Sequence, residues 1–205
     1  MGKKINVTGL RIGTTIDWRS KWFAENKDFG KFVIEDVKIR KFFEAALKNA
    51  GLERVVIERN LNDLNIILRV ARPGVVIGRG GAGINMLKEE LAKIVKSKVS
   101  ITVEEVKRPE ASAELIAQSL ATQIEKRVNY KKAALSAIAK AKDQGVKGIR
   151  ITISGVLSGG NTIARVEIFK DGSIPQTTIR ANIDFAVAHS KTFWGVIGVK
   201  VWIYS

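Results

Sequence analysis

The 205-residue chain contains no cysteine. Disulfides, thiolate nucleophiles and thiolate metal ligands are therefore excluded, and a reducing compartment is expected. There is one histidine, His189, so the usual zinc donor sets cannot be assembled. His189 is expected to be a structural or surface residue rather than a catalyst. No apolar stretch approaches the ~20 residues of a membrane span. The opening MGKKINVTGL carries charge but no apolar run of signal-peptide length. Asn6 stands where an N-myristoylation signal wants Ser or Thr. Acids are scarce, 20 against 35 Lys+Arg, and none of them, Glu104 and Glu105 included, shows the paired spacing of acid–base chemistry. No glycine is followed by Lys-Ser or Lys-Thr, so a P-loop is absent. Together these absences predict a soluble, intracellular protein that is not an enzyme and has no metal or cofactor.

What the chain does have is positive charge. The net charge is +15, with a pI near 10.1. Residues 1–105 carry 20 Lys+Arg against 13 Asp+Glu, and residues 106–205 carry 15 against 7. An excess spread over both halves predicts an extended surface for an anionic polymer or membrane surface, not a basic tail on a neutral body. Apolar residues make up 45%, so a packed core is expected. In the first 27 residues Trp18, Trp22 and Phe23 mix with Lys3, Lys4, Arg11, Arg19 and Lys21. Such a mixture predicts an arm that docks by its aromatics, binds RNA by stacking and charge, or does both.

Periodicity sets the order of elements. Phe32, Val33, Val37, Ile39, Phe42, Phe43, Ala46 and Leu47 recur at roughly helical spacing, and Gly51 ends the pattern. LERVVIERN and LNIILRVA read as strands, and Pro73 can open a short helical turn. INMLKEELAKIVKSK reads as a helix and VSITVEEV as a strand. The polar link KRPEAS leads to two helices, SAELIAQSLATQIEKRV and YKKAALSAIAKAKDQG. Four strands follow: VKGIRITISGVL, TIARVEIFK, QTTIRANIDFAVAHS and FWGVIGVKVWIY. SGGN at 158–161 and DGS at 171–173 have the composition of hairpin turns. The expected class is α+β in three parts: an arm over 1–27, an α-β-β-α-α-β domain over 28–106, and a domain over 107–205 with two helices on a four-stranded, mainly antiparallel sheet.

One short stretch carries chemistry. VVIGRGGAGI, residues 75–84, holds glycine at 78, 80, 81 and 83. Glycine reaches positive φ cheaply and lets another backbone approach, which suits a loop that meets phosphate. Gly78, Gly80 and Gly83 spell the dinucleotide fingerprint, with Glu104 as the acid some 20 residues on. The context argues against that reading, because Pro73 and Gly74 interrupt the strand that should enter the first glycine. A purely structural turn would leave Arg79 unexplained. The pattern V-I-G-x-x-G-x-x-I instead resembles a KH domain, with Val76, Ile77 and Ile84 as apolar anchors. Gly78, Arg79, Gly80 and Gly81 would then form the RNA-clamping loop. The element order resembles a type II KH domain.

The resemblance extends further. ARPGVVIGRGG, VKRPE, KGIRITISG, IARVE, TIRANIDFA and WGVIGVKVWI together resemble the bacterial-type small-subunit ribosomal protein S-three family over nearly the whole chain. That likeness implies an N-terminal type II KH domain and a structural role in the head of the small ribosomal subunit. It implies binding to small-subunit rRNA, contacts with neighbouring ribosomal proteins of the head and the mRNA entrance, and a surface that holds and unwinds mRNA. The compartment implied is a cytoplasmic or organellar ribosome. In EKRVNYKKAALS, Lys131 and Lys132 match the family's paired basic residues that face mRNA, and Lys126 and Arg127 extend the track. Arg127 and Lys131 are four apart and would share a face if one helix ran through Asn129. Leu135 stands where relatives often have a third basic residue, and lysine replaces arginine at 131 and 132. A lysine is a point charge without arginine's planar fork, so a weaker grip on mRNA is expected. The alternatives of other classes are an NAD-dependent enzyme using Gly78, Gly80 and Gly83, and a KH regulator acting off the ribosome.

Overall fold

The computed structural model describes residues 5–60, 63–95, 97–157 and 163–205. They form two compact units. One gathers the chain up to Asp17 with Arg108–Ser205, and the other is Trp18–Lys107. Residues 1–27, read as one arm, are thus divided between the two. The elements run α1 (Val7–Arg11), β1 (Ser20–Lys21), α2 (Asn26–Ala46), β2 (Leu52–Arg59), β3 (Asp63–Val70), α3 (Pro73–Ile77), α4 (Ala82–Ala92) and β4 (Lys98–Glu105). They continue with α5 (Ala113–Glu125), α6 (Tyr130–Asp143), β5 (Gly148–Gly155), β6 (Arg165–Gly172), β7 (Ile183–Thr192) and β8 (Gly195–Tyr204).

In the Trp18–Lys107 unit the sheet order is β1-β2-β3-β4. β2 and β3 are antiparallel, and the outer pairs are parallel. β3 buries Leu64, Ile66, Leu68 and Val70 in strict alternation, the two-residue period of a strand with one face in the core. β2 buries Leu52, Val55 and Ile57, skipping a residue because its register shifts between Leu52 and Arg54. α2 lays Ile39 and Phe43 on this core, one helical turn apart. A polar tie joins α2 to β2. Arg59 donates to Asp36 (2.8 Å) and Glu35 (2.7 Å), and the buried Asp36 also accepts from Ser20 and the Trp22 indole. A buried carboxylate so surrounded by donors is tolerated where a bare one would not be. The helix predicted through Lys98 stops at Ala92, because Lys98 already pairs with Asp63 in the sheet.

The C-terminal unit carries an antiparallel sheet in the order β6-β5-β8-β7. One face buries Ile149, Ile151, Ile153, Val199, Val201 and Ile203 beneath α5 and α6. The helices meet it with Ile116, Leu120, Ile124 and Ile138 among the alanines 117, 133, 134 and 141, whose small side chains let the layers approach. Asp184 of β7 accepts the Ala113 N–H at 2.8 Å, placing an acid at the positive end of α5.

Two expectations change here. DGS does not turn a hairpin, since β6 and β7 lie at opposite edges of the sheet. The strand expected from 176 begins only at Ile183. The intervening stretch is gathered around Arg11, which is 0% exposed. Its guanidinium donates to the carbonyls of Ala181 (2.8 Å), Thr178 (2.7 Å) and Val7 (3.0 Å). SGGN lies outside the described residues.

Candidate nucleic-acid interface

The glycine loop joins α3 to α4. Gly78 has φ 68° and ψ −179°, a combination that side chains avoid. Gly80 (φ 63°) and Gly81 (φ 81°) are left-handed. Gly81 precedes α4, and no side chain caps that helix, so the partial positive charge of its first-turn N–H groups is left open. A Cβ at Gly80 or Gly81 would meet nothing within 4 Å, so this rim is bare to an approaching ligand. Gly83 is different: a Cβ there would run into the Val76 carbonyl oxygen, so its glycine serves the packing of α4 on α3. Arg79 is exposed and has no ion pair among the described residues. Of the expected anchors Val76 is buried and Ile84 half-buried, but Ile77 is exposed. The arrangement offers backbone N–H groups, one guanidinium and little bulk, which suits phosphate. It does not suit a dinucleotide fold, because the loop runs from helix to helix, and β3 has already ended at Val70.

The second candidate lies between α5 and α6. α5 ends at Glu125, and Arg127 takes φ 61°, alone among the described non-glycine residues in having positive φ. Its N–H bonds to Ile124 O at 2.9 Å, and Val128 N–H reaches Gln123 O at 3.0 Å, the closure glycine usually makes at a helix end. Asn129 then caps α6, its side chain accepting from the Lys131 N–H at 2.9 Å. The two helices read from the sequence are thus separate, and the condition for a shared face of Arg127 and Lys131, one helix through Asn129, is not met. Lys126 and Arg127 belong to the junction, and Lys131 and Lys132 to the first turn of α6. All four are exposed. That first turn has no acid, and two lysines there oppose the helix dipole. A helix start that repels its own side chains attracts phosphate. Lys131 is partly engaged, 3.9 Å from Glu167 and over the Tyr130 ring. Glu167 accepts from the Tyr130 hydroxyl at 2.8 Å; burial first, and this acid second, push the phenol's pKa up. Lys126, Arg127 and Lys132 have no ion pair among the described residues.

Comparison with known proteins gives these features a context. Residues 38–111 match the KH domain family, and residues 120–203 match the family described as ribosomal protein S3, C-terminal domain. The small ribosomal subunit protein uS3 of Caldanaerobacter subterraneus subsp. tengcongensis is 47% identical over 99% of this chain and 91% of its own length. The chain belongs to the uS3 family. The uS3 protein of Caldicellulosiruptor saccharolyticus is also 47% identical, over 100% of this chain and 92% of its own. That of Coxiella burnetii is 45% identical, over 100% and 89%.

uS3 proteins are structural, non-enzymatic components of the ribosome, which removes the NAD-dependent reading of Gly78, Gly80 and Gly83. The family also accounts for the α+β architecture, a KH domain followed by the S3 C-terminal domain. Of the eight site residues read from the sequence, Lys126, Arg127, Lys131 and Lys132 gather at one junction. Gly78, Arg79, Gly80 and Gly81 form one loop in the other unit. Arg11 leaves the set of RNA-facing cations, being wholly buried on backbone carbonyls. No helix among the described residues is long and apolar enough to cross a membrane.

Proposed function

We propose that this chain is a structural constituent of the small ribosomal subunit, in the cytoplasm or an organelle. In this reading it binds small-subunit rRNA in the head and lines the channel through which mRNA enters. Lys126, Arg127, Lys131 and Lys132 track the mRNA backbone, and Gly78–Gly81 with Arg79 meets RNA phosphate. Its further partners are neighbouring ribosomal proteins of the head and the mRNA entrance. The observation that carries the reading is the junction itself. Three exposed cations stand there without an ion pair, one of them on a left-handed backbone and one at a helix start that disfavours it. Lys126 and Arg127 stand where the α5 dipole favours a cation, but Arg127 does so on a costly backbone and Lys132 against the α6 dipole, and the crowding of these three cations is explained by an external polyanion. Their contact with phosphate is indifferent to sequence, as any message requires. Replacing Lys131 and Lys132 by Ala is expected to slow translation through structured mRNA while leaving subunit assembly intact. Equal rates on structured and unstructured messages would contradict the role at the mRNA channel.

A further inference from the structure

The hairpin joining β7 to β8 has only two loop residues, Phe193 and Trp194, between the paired Thr192 and Gly195. Tight hairpins ordinarily use Asn, Asp or Gly there, because the loop residues need positive φ. In this hairpin the positive φ falls on Gly195 (124°), and Thr192 Oγ1 donates to Gly195 O at 2.7 Å. The turn therefore holds two large aromatics that do nothing for its closure. Phe193 is 87% exposed and Trp194 58% exposed. Their rings are 5.4 Å apart and nearly perpendicular, at 89°. Exposed aromatics held in a fixed mutual arrangement lose no burial when a ligand covers them.

The place of this pair gives the ligand its chemistry. The Lys191 N–H donates to the Glu125 carboxylate at 3.0 Å, tying the hairpin to the last residue of α5. Lys126 and Arg127 follow Glu125 directly, and Phe193 lies two residues beyond Lys191. Two residues span at most about 7 Å, so the aromatics and the cations flank one contact. Both lie in the same unit. We propose that Phe193 and Trp194 form a stacking platform for unpaired bases of single-stranded RNA whose phosphates are held at Lys126, Arg127 and Lys132. Perpendicular rings cannot continue a single stack. One ring takes a base on its face, and the other supports it from the side. A protein partner would find the same apolar rings, but the neighbouring cations favour a ligand that carries one phosphate for every base. This inference rests on the RNA track proposed above.

The test uses the full chain with two probes, a 12-nucleotide single-stranded RNA and an abasic ribose-phosphate polymer of the same length, each over a salt series. Variants are F193L/W194L, which keeps apolar bulk but removes the π faces, W194F, and K126A/R127A/K132A. The expected result is about tenfold or greater loss of RNA affinity in F193L/W194L. Its salt slope and its affinity for the abasic polymer should equal the parent's, and W194F should retain most of the affinity. The cation variant should flatten the slope on both probes. Parent-like RNA affinity in F193L/W194L, with the slope still dependent on the cations, would overturn the platform alone. So would parent-like affinity accompanied by failure to join the small subunit, which would assign the rings to a protein contact. No binding by the parent, or a slope indifferent to the cations, would overturn the track and the platform with it.

Discussion

Arg127 occupies a position where a helix C-terminus usually has glycine. A left-handed side-chain-bearing residue costs roughly 1–2 kcal/mol. Arg127→Gly should therefore leave the thermal midpoint unchanged or raise it, since glycine's greater freedom in the unfolded chain offsets part of the relief. The same change should lower RNA affinity and shrink the salt slope by about 0.7, the share of one phosphate contact on a single strand. A lower midpoint would instead make Arg127 a strut of the junction. Arg11 provides the opposite case. Its buried guanidinium satisfies carbonyls of Val7, Thr178 and Ala181, so Arg11→Met should destabilise the C-terminal unit by about 3 kcal/mol. The unfolding midpoint reports that loss, and the salt dependence of RNA binding should not move. In the sequence Arg127 extended a basic track suggested by family resemblance and Arg11 was one cation of a mixed arm, with no local mark of burial on either. Exposure separates them, and exposure depends on partners as distant as Ala181, 170 positions away.

At the scale of elements, the α3–loop–α4 segment divides its glycines by task. Gly80 is left-handed with open space around it, and aspartate tolerates that backbone better than most residues. Replacing Arg79 and Gly80 together by Asp should keep the fold, as judged by an unchanged near-ultraviolet spectrum, and weaken RNA binding by charge repulsion at the loop. Preserved RNA affinity would remove the loop from the interface. The motif was legible locally, because its glycine spacing is a local property. The roles within it were not, since Gly83 differs from Gly80 only through the carbonyl that packs against it. The break between α5 and α6 had a local signal too. Asn129 is a good N-cap residue, and a cap in mid-helix marks two helices rather than one.

For the whole molecule, the relevant quantity is charge. A net +15 on 205 residues, spread over both halves, destabilises the compact state by self-repulsion unless an anion neutralises it. The chain is therefore expected to sediment with the small ribosomal subunit from native lysate. Finding it only as free protein at the top of the gradient would contradict the ribosomal role and leave an RNA-binding KH protein acting alone.

Composition and local periodicity did not show α1 or β1, but were enough to determine the sign and spread of the charge, the order of helices and strands from α2 onward, and the position of the glycine loop. These follow from side-chain period and from the conformational freedom of single residues, both local quantities. The tertiary structure alone decided the strand order β6-β5-β8-β7, the burial of Arg11, the pairing of Lys131 with Glu167 and the meeting of Glu125 with the β7–β8 hairpin. Each of these joins segments far apart in the chain. Their contact is set by which apolar faces bury each other, and no local window of sequence contains both partners.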